Sequence, residues 1–191
     1  PAMPGFFDKL ANYYSEPTLK GLYTDAVRQY DNVSQIEQAL GNGFTWLKTC
    51  FPSMQIPAIY MHVSGFNQNV LVGDSLLSIS IDKYLGEDYT LYNKYYTKNQ
   101  SKTMSREYIV PDCLSFYLLS IYQMPNFDKR SQQEKDLHMG KVMYVVNQII
   151  GYKVFTTKYI DAVESYMKDN KSVTLDTLLK SDDYKCFNQY C

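Results

Sequence analysis

The sequence predicts a single α+β domain that is mostly helical and carries a small antiparallel sheet. Three observations predict it. The chain has 191 residues, a length that suits one domain. Both ends repeat apolar residues at helical spacing, and a short middle region alternates apolar and polar residues. With no linker or repeat between them, we expect one domain with a helical N-terminal part (1–52), a β-hairpin (57–82) and a helical C-terminal part (88–191).

Two helices are predicted in the N-terminal part. The first has candidate caps at Ser15 and Thr18 and places apolar residues three and four apart. The second begins with a capping box of Ser34 and Glu37 and fades towards Phe51. Apolar positions of the first helix are Leu19, Leu22, Tyr23, Ala26, Val27 and Tyr30. The short connection between the helices favours an antiparallel pair.

The middle region predicts two strands. Residues 58–63 are rich in β-forming side chains, and residues 77–82 alternate apolar with polar ones. The intervening residues 64–74 include two glycines and are too few for a helical crossover. We therefore expect an antiparallel hairpin with one face covering the helices.

The C-terminal part predicts further helices. A short one lies near residues 88–96, and a longer one runs up to Met124 with Pro111 either starting or kinking it. Gln132 to Ile150 forms a largely apolar helix that ends at Gly151. Another helix is centred on residues 160–167, and a final pair lies within residues 176–190.

Composition narrows the classes of function. Hydrophobic residues make up 45% of the chain, charged residues make up 20%, and the net charge is −1, so nothing recruits nucleic acid electrostatically. No apolar run approaches the roughly 20 residues that span a bilayer. The four cysteines form no CxxC pair, which excludes a zinc ribbon. Cys50 and Cys113 are interpreted as buried, and a bridge between Cys186 and Cys191 stays open.

One motif matches the nucleophile block of the GDSL esterases, namely Gly73-Asp74-Ser75-Leu76. A serine nucleophile needs a base within hydrogen-bond reach. The only downstream histidine, His138, follows Asp136 by two residues rather than the three of that family. We therefore interpret the block as turn chemistry before the second strand.

The sequence also lacks the residue patterns of a zinc site and of a phosphate-binding loop. The chain has only two histidines, His62 and His138, and they fall in different predicted elements rather than one helical turn apart. Glu107 and Asp112 could act as general acid and base, but charges near a helix start usually serve the helix dipole. Gly140-Lys141 lacks a glycine-rich approach and is interpreted as helix interior.

Several phrases, in order, resemble the gliding-motility lipoprotein B (GldB) family of Bacteroidetes. The resemblance covers most of the chain from about Ala58 onward. It is carried by these segments: Val63 to Phe66, Ile79 to Gly86, Tyr92, Met104 to Asp112, Met139 to Tyr144, and Leu178 to Asp182.

The resemblance implies a lipid-anchored protein of the cell envelope, periplasmic or surface-exposed, tethered only through an N-terminal lipid anchor that precedes this sequence. That family is in turn distantly similar to zincin-type metallopeptidases, which implies a zincin-like scaffold. The matching helix, Met104 to Met124, contains no histidine, and Met139 stands where a third acidic ligand could precede Gly140. The resemblance therefore implies a scaffold without catalysis, metal or cofactor, which binds other envelope proteins.

Residues for such a binding site are expected in a cleft or on a surface near these phrases. The candidates are Tyr84, Tyr92, Asp112, His138, Lys141 and Tyr144. One alternative function is a glycan- or peptidoglycan-binding domain, since rings from the cluster Tyr84, Tyr89, Tyr92, Tyr95 and Tyr96 could present flat faces to sugar. Another is an enzyme that uses carboxylates alone.

Overall fold

A computed structural model describes Asn12 and residues 15–191, which form a mostly helical α+β domain with a small sheet. Helices α1 (Pro17–Gln29) and α2 (Ser34–Cys50) precede the sheet. Neither helix begins with the cap that the sequence predicted. Glu16 caps α1 by accepting the backbone N–H of Leu19 at 2.8 Å, and α2 starts at Ser34 after Val33, without a side-chain cap.

In the described residues the sheet has three strands, β1 (Ala58–His62), β2 (Val70–Val72) and β3 (Leu76–Ser80), in the order β1-β3-β2. β2 pairs with β3 in antiparallel register, but β1 pairs with β3 in parallel. The predicted antiparallel hairpin of 57–82 is therefore wrong, and the sheet is mixed. Residues 64–74, which were predicted to form a loop, contain β2. This strand pairs with one edge of β3, and β1 pairs with the other edge.

The C-terminal part consists of helices connected by short turns. Its α-helices are α3 (Tyr92–Tyr95), α4 (Lys98–Ser101), α5 (Ile109–Ile121), α6 (Gln132–Ile150), α7 (Lys158–Asp169) and α8 (Leu175–Lys180). Pro111 lies in the first turn of α5, where a proline costs no hydrogen bond, so it starts this helix. Helix α6 has the predicted bounds and ends at Gly151, whose φ of 80° is left-handed.

Helix α5 is the centre of the core. It contacts α2, α6, β2 and β3. Its residues Ile109, Cys113, Leu114 and Leu118 are fully buried. The inward face of the sheet adds the fully buried Leu77 and Ile79. Among the described residues, the sheet is thus packed mainly on one side, although Ser80 at one end of the other side is also buried. In the described part of the chain, no helix is both long and apolar enough to cross a membrane.

Candidate functional site

The outer face of the sheet, turned away from α5, is the first candidate surface. Side chains alternate along a strand, so the residues neighbouring the buried Leu77 point outward. The register sets Ser78 of β3 between Tyr60 of β1 and Leu71 of β2. Tyr60 is 60% exposed, Leu71 45% and Leu76 42%. These side chains and those of Ala58, His62 and Ser78 are called the outer sheet face below.

His62 occupies one end of the outer sheet face and is held by two serines. Its Nδ1 lies 2.7 Å from the Ser78 hydroxyl and its Nε2 lies 3.0 Å from the Ser80 hydroxyl. Both ring nitrogens are therefore engaged in hydrogen bonds within the sheet. A serine nucleophile requires a histidine oriented by a third group, usually a carboxylate. In this sheet the second ring nitrogen of His62 contacts another serine and not a carboxylate. The three side chains therefore form a polar contact between β1 and β3, without the third group of a catalytic triad.

A groove of about 800 Å³ lies beyond the C-terminal end of β1. One wall is α1, which contributes Leu19 and the exposed Tyr23, and the other is the end of β1 and the loop of residues 64–68. A second groove of about 480 Å³ lies on the other side of this loop, against Phe66, Tyr95 and Tyr96. The loop therefore separates two open concave surfaces next to the outer sheet face.

Asp82 fixes the loop of residues 64–68. Its carboxylate is fully buried and accepts the backbone N–H of Ser64 at 2.9 Å and that of Phe66 at 2.8 Å. Gly65 and Phe66 both have left-handed backbone, with φ of 66° and 69°. Residues other than glycine rarely adopt a positive φ, because the Cβ makes this conformation sterically unfavourable. The two hydrogen bonds to Asp82 therefore stabilise a loop geometry that the local sequence disfavours.

The tyrosine cluster that motivated a glycan-binding alternative is largely internal. Tyr84 and Tyr92 are fully buried, and the Tyr92 hydroxyl donates to the Asp82 carbonyl at 2.7 Å. The rings of Tyr89 and Tyr96 each meet Tyr92 edge to face. Tyr95 is 61% exposed. The two buried rings have no face to offer a sugar, which removes the flat platform that the sequence suggested.

Tyr84 and Asp112, two of the predicted site residues, contact one another in the interior. The Tyr84 hydroxyl donates to Oδ2 of Asp112 at 2.8 Å. Burial raises the pKa of Asp112 to about 6, and the hydrogen bond from Tyr84 offsets part of that rise. The same burial, with the nearby carboxylate, raises the pKa of Tyr84. This pair joins the 3₁₀ turn after β3 to the start of α5.

His138 and Lys141 form a second internal cluster, around Tyr184. Nδ1 of His138 lies 3.0 Å from the Tyr184 hydroxyl. Lys141 is fully buried, its Nζ donates to the Ser181 carbonyl at 2.7 Å, and it lies 4.6 Å from the centre of the Tyr184 ring. Burial lowers the pKa of Lys141 to about 8 and also lowers that of His138. These contacts fasten the C-terminal segment to α6.

Tyr144 lies apart from both clusters. It is half-buried on α6 and lines a small cavity of about 160 Å³ together with Glu164. Burial raises the pKa of Tyr144, and the carboxylate of Glu164 raises it further.

The six candidate residues thus fall into three separate settings rather than one cleft. Sequence reasoning missed Asp82 and Tyr184, which organise two of the internal networks.

The remaining chemical motifs have structural settings. The Gly73-Asp74-Ser75 block is the turn between β2 and β3, as predicted. Cys113 is buried as expected, but Cys50 is exposed at the end of α2, so that prediction is wrong. No two described cysteines are bonded, Cys186 and Cys191 included. Among the described residues, no three histidine, cysteine or acidic side chains come together as a metal site would require.

Comparison with known protein families gives a match. The family model of the gliding motility protein GldB, a lipoprotein family, matches residues 1–159. Searches of curated proteins and of solved structures found no match. The family match extends over most of the chain and includes the strands, α5 and α6. The chain therefore belongs to the GldB family and is a gliding-motility-related lipoprotein.

Proposed function

We propose that this chain is a noncatalytic, lipid-anchored protein of the cell envelope that binds another envelope protein of a gliding-motility or secretion-like assembly. The observation that carries the proposal is the outer sheet face. Tyr60, Leu71 and Leu76 expose apolar surface on the same side of the sheet, with Ser78 between Tyr60 and Leu71 and with Leu76 beside Ala58. Exposed apolar patches on soluble domains commonly mark surfaces that bind another molecule.

The settings of the two histidines support a role without metal catalysis. A catalytic zinc site uses histidine nitrogens as ligands and keeps one position open for water. Both nitrogens of His62 are engaged by serines, and His138 is buried against Tyr184. Helix α5, which corresponds to the peptidase helix in the resemblance, packs directly on β2, β3 and α6. Binding is therefore the proposed role of this scaffold, on the side of the sheet that α5 does not cover.

Site-specific photo-crosslinking tests the binding surface. A photoreactive benzoylphenylalanine replaces Tyr60 in the full chain in its host cells, and a matched control carries it at Lys171, which is exposed in the turn between α7 and α8. We expect one envelope protein to be crosslinked from position 60 and not from position 171. Equal crosslinking at both positions, or none at position 60, contradicts the proposal.

Metal analysis tests the absence of catalysis separately. The purified chain is dialysed against zinc, its metal content is measured, and peptide hydrolysis is assayed on the same sample. We expect substoichiometric zinc and no hydrolysis above the protein-free rate. One tightly bound zinc per chain together with peptide cleavage would show a metallopeptidase instead.

A further inference from the structure

Within the described part of the chain, strand β1 forms an edge of the sheet, because the strand order is β1-β3-β2. In a parallel pair, alternate residues of each strand make the hydrogen bonds to the partner strand. The backbone N–H of Ala58 donates to the Ser75 carbonyl at 2.9 Å, which shows which residues of β1 face β3. Ala58, Tyr60 and His62 therefore bond to β3. The N–H and C=O groups of Ile59 and Met61 point away from it and bond to no described residue.

Among the residues that the structure describes, this edge lacks the features that usually protect an edge strand. Proteins commonly block such edges with lysines, inward-pointing charges, bulges or a covering element. Residues 58–63, Ala-Ile-Tyr-Met-His-Val, contain no lysine or acidic side chain, and the register with β3 runs from Ala58 to His62 without a bulge. At the other edge, β2 is only three residues long and contacts α5. The two edges thus differ, and β1 is the one with an unprotected backbone.

We propose that β1 takes up an extended segment of a partner protein as a fourth strand of the sheet. This inference rests on the proposed function and specifies its binding mode. The outward backbone groups of Ile59 and Met61 require main-chain amides spaced as in a β-strand, which defines the occupant as extended polypeptide. On the outer sheet face its alternate side chains lie next to Tyr60, so apolar ones are favoured. Beyond His62 the segment runs into the groove against α1, which receives one further side chain.

A second copy of this chain fits the edge less well than a partner segment does. β1 has five residues, whereas a stable interface between two folded proteins uses roughly 20–30 residues on each side. Two such edges paired together would leave both grooves next to the loop of residues 64–68 unfilled. An extended segment can follow the strand and then enter the groove, so it uses more of the available surface.

The binding test uses peptides selected against the full chain. A displayed library of random peptides about twelve residues long, long enough to pass β1 and reach the groove, is panned on the purified protein. The best binder is then synthesised in two forms, N-methylated at alternate backbone positions in opposite phase. A strand donates to its neighbour from every second residue only. We expect one methylated form to bind about tenfold or more weaker and the other to bind as before.

Amide hydrogen exchange gives a readout at the edge itself. In the free chain, the amides of Tyr60 and His62 are expected to be protected and those of Ile59 and Met61 to exchange freely. Addition of the peptide is expected to protect Ile59 and Met61. Equal binding of both methylated peptides, protection elsewhere only, or a selection without binders overturns the proposal. Protection of both amides in a free chain that sediments as a dimer assigns the edge to a second copy and overturns it too.

The two proposals fail separately. If Tyr60 crosslinks to an envelope protein but the edge amides stay unprotected in that complex, the chain binds proteins without strand addition. If neither peptides nor an envelope protein engage this side of the sheet, the proposed function fails together with its mechanism.

Discussion

Asp82 and Asp112 are both buried carboxylates, yet their partners differ. Asp82 accepts two backbone N–H groups from the loop of residues 64–68, whereas Asp112 accepts the hydroxyl of Tyr84. Hydrogen bonds to the charged form stabilise it, and burial opposes it. The contribution of each residue to the fold can be tested by replacing its carboxylate with an amide.

Replacing Asp82 with asparagine is expected to destabilise the chain and loosen the loop. An amide nitrogen would face a backbone N–H where a carboxylate oxygen now accepts one, leaving a buried donor unpaired at a cost of about 1–3 kcal/mol. Urea unfolding measures the loss, and the amide of Phe66 should exchange faster. The control Ser64→Ala removes a hydroxyl whose contacts to Asp82 and to the backbone of Gln68 are all long, at 3.4 to 3.5 Å, so a comparable loss there would contradict this account.

Replacing Asp112 with asparagine is expected to stabilise the chain at pH 7.5. The folded pKa of about 6 lies above the ordinary value near 4, so the folded state binds the proton more tightly. The contribution of Asp112 to the free energy of unfolding is therefore largest below about pH 4 and is lost as the pH rises through 6. Asparagine carries no charge to desolvate, and its oxygen can still accept from Tyr84. We expect a gain of about 1–3 kcal/mol at pH 7.5 that shrinks towards pH 4.5 in urea titrations.

The control for that pH dependence is Tyr84→Phe, which removes the donor and leaves the carboxylate. It should lower the unfolding free energy at pH 7.5 more than at pH 4.5. A uniform change at both pH values in either variant would show that the charge of Asp112 does not limit stability.

Sequence reasoning identified Tyr84, Asp112, His138 and Lys141 but not their contacts. Tyr84 meets Asp112 across 28 positions, and His138 meets Tyr184 across 46. Such pairings depend on which helices pack together, and periodicity within one helix carries no information on that. Asp82 was missed for a similar reason, because its partners lie 16 to 18 positions earlier, in a loop.

At the scale of the elements, local signals placed the helices well and the sheet topology badly. Helix α6 has its predicted bounds because a capping box of Ser131 and Glu134 and the left-handed Gly151 determine its ends. The sheet depends instead on the three residues of β2, too short a run to stand out among glycines and polar residues. Because β2 pairs with one edge of β3, β1 pairs with the other edge, where it runs parallel to β3 and does not form the hairpin expected from spacing.

The contact between α6 and α7 provides a test of one element against another. A Cβ at Gly140 would lie 3.1 Å from the backbone of Tyr159, whereas a Cβ at Gly41 of α2 has nothing within 4 Å. Alanine favours a helix over glycine by about 1 kcal/mol at either position. We expect Gly41→Ala to raise the unfolding free energy by about that amount and Gly140→Ala to lower it by about 1–3 kcal/mol through overpacking. Thermal or urea unfolding checks both, and a gain at Gly140 would show that α7 can move away without cost.

For the whole molecule, the two faces of one small sheet have different surroundings. Its inner face completes the core around α5, while its outer face and the β1 edge stay open. Composition and periodicity could predict an α+β domain, and the family phrases could predict membership. Neither could place the proposed binding surface, because the face of the sheet that stays exposed depends on which helix packs against the other face.

Adjacent residues of β3 should separate stability from partner binding. Leu76→Lys changes a side chain that is 42% exposed, so we expect the unfolding free energy to shift by no more than about 0.5 kcal/mol while crosslinking from position 60 is lost. Leu77→Ala empties a fully buried position and should cost about 2–5 kcal/mol. Phe127→Lys, at an exposed apolar position on another surface, should preserve both properties. A lysine charge on the outer sheet face should weaken binding of an apolar partner there, whereas a charge on another surface should not. If Leu76→Lys keeps its crosslink, or Phe127→Lys loses it, the partner does not contact the outer sheet face.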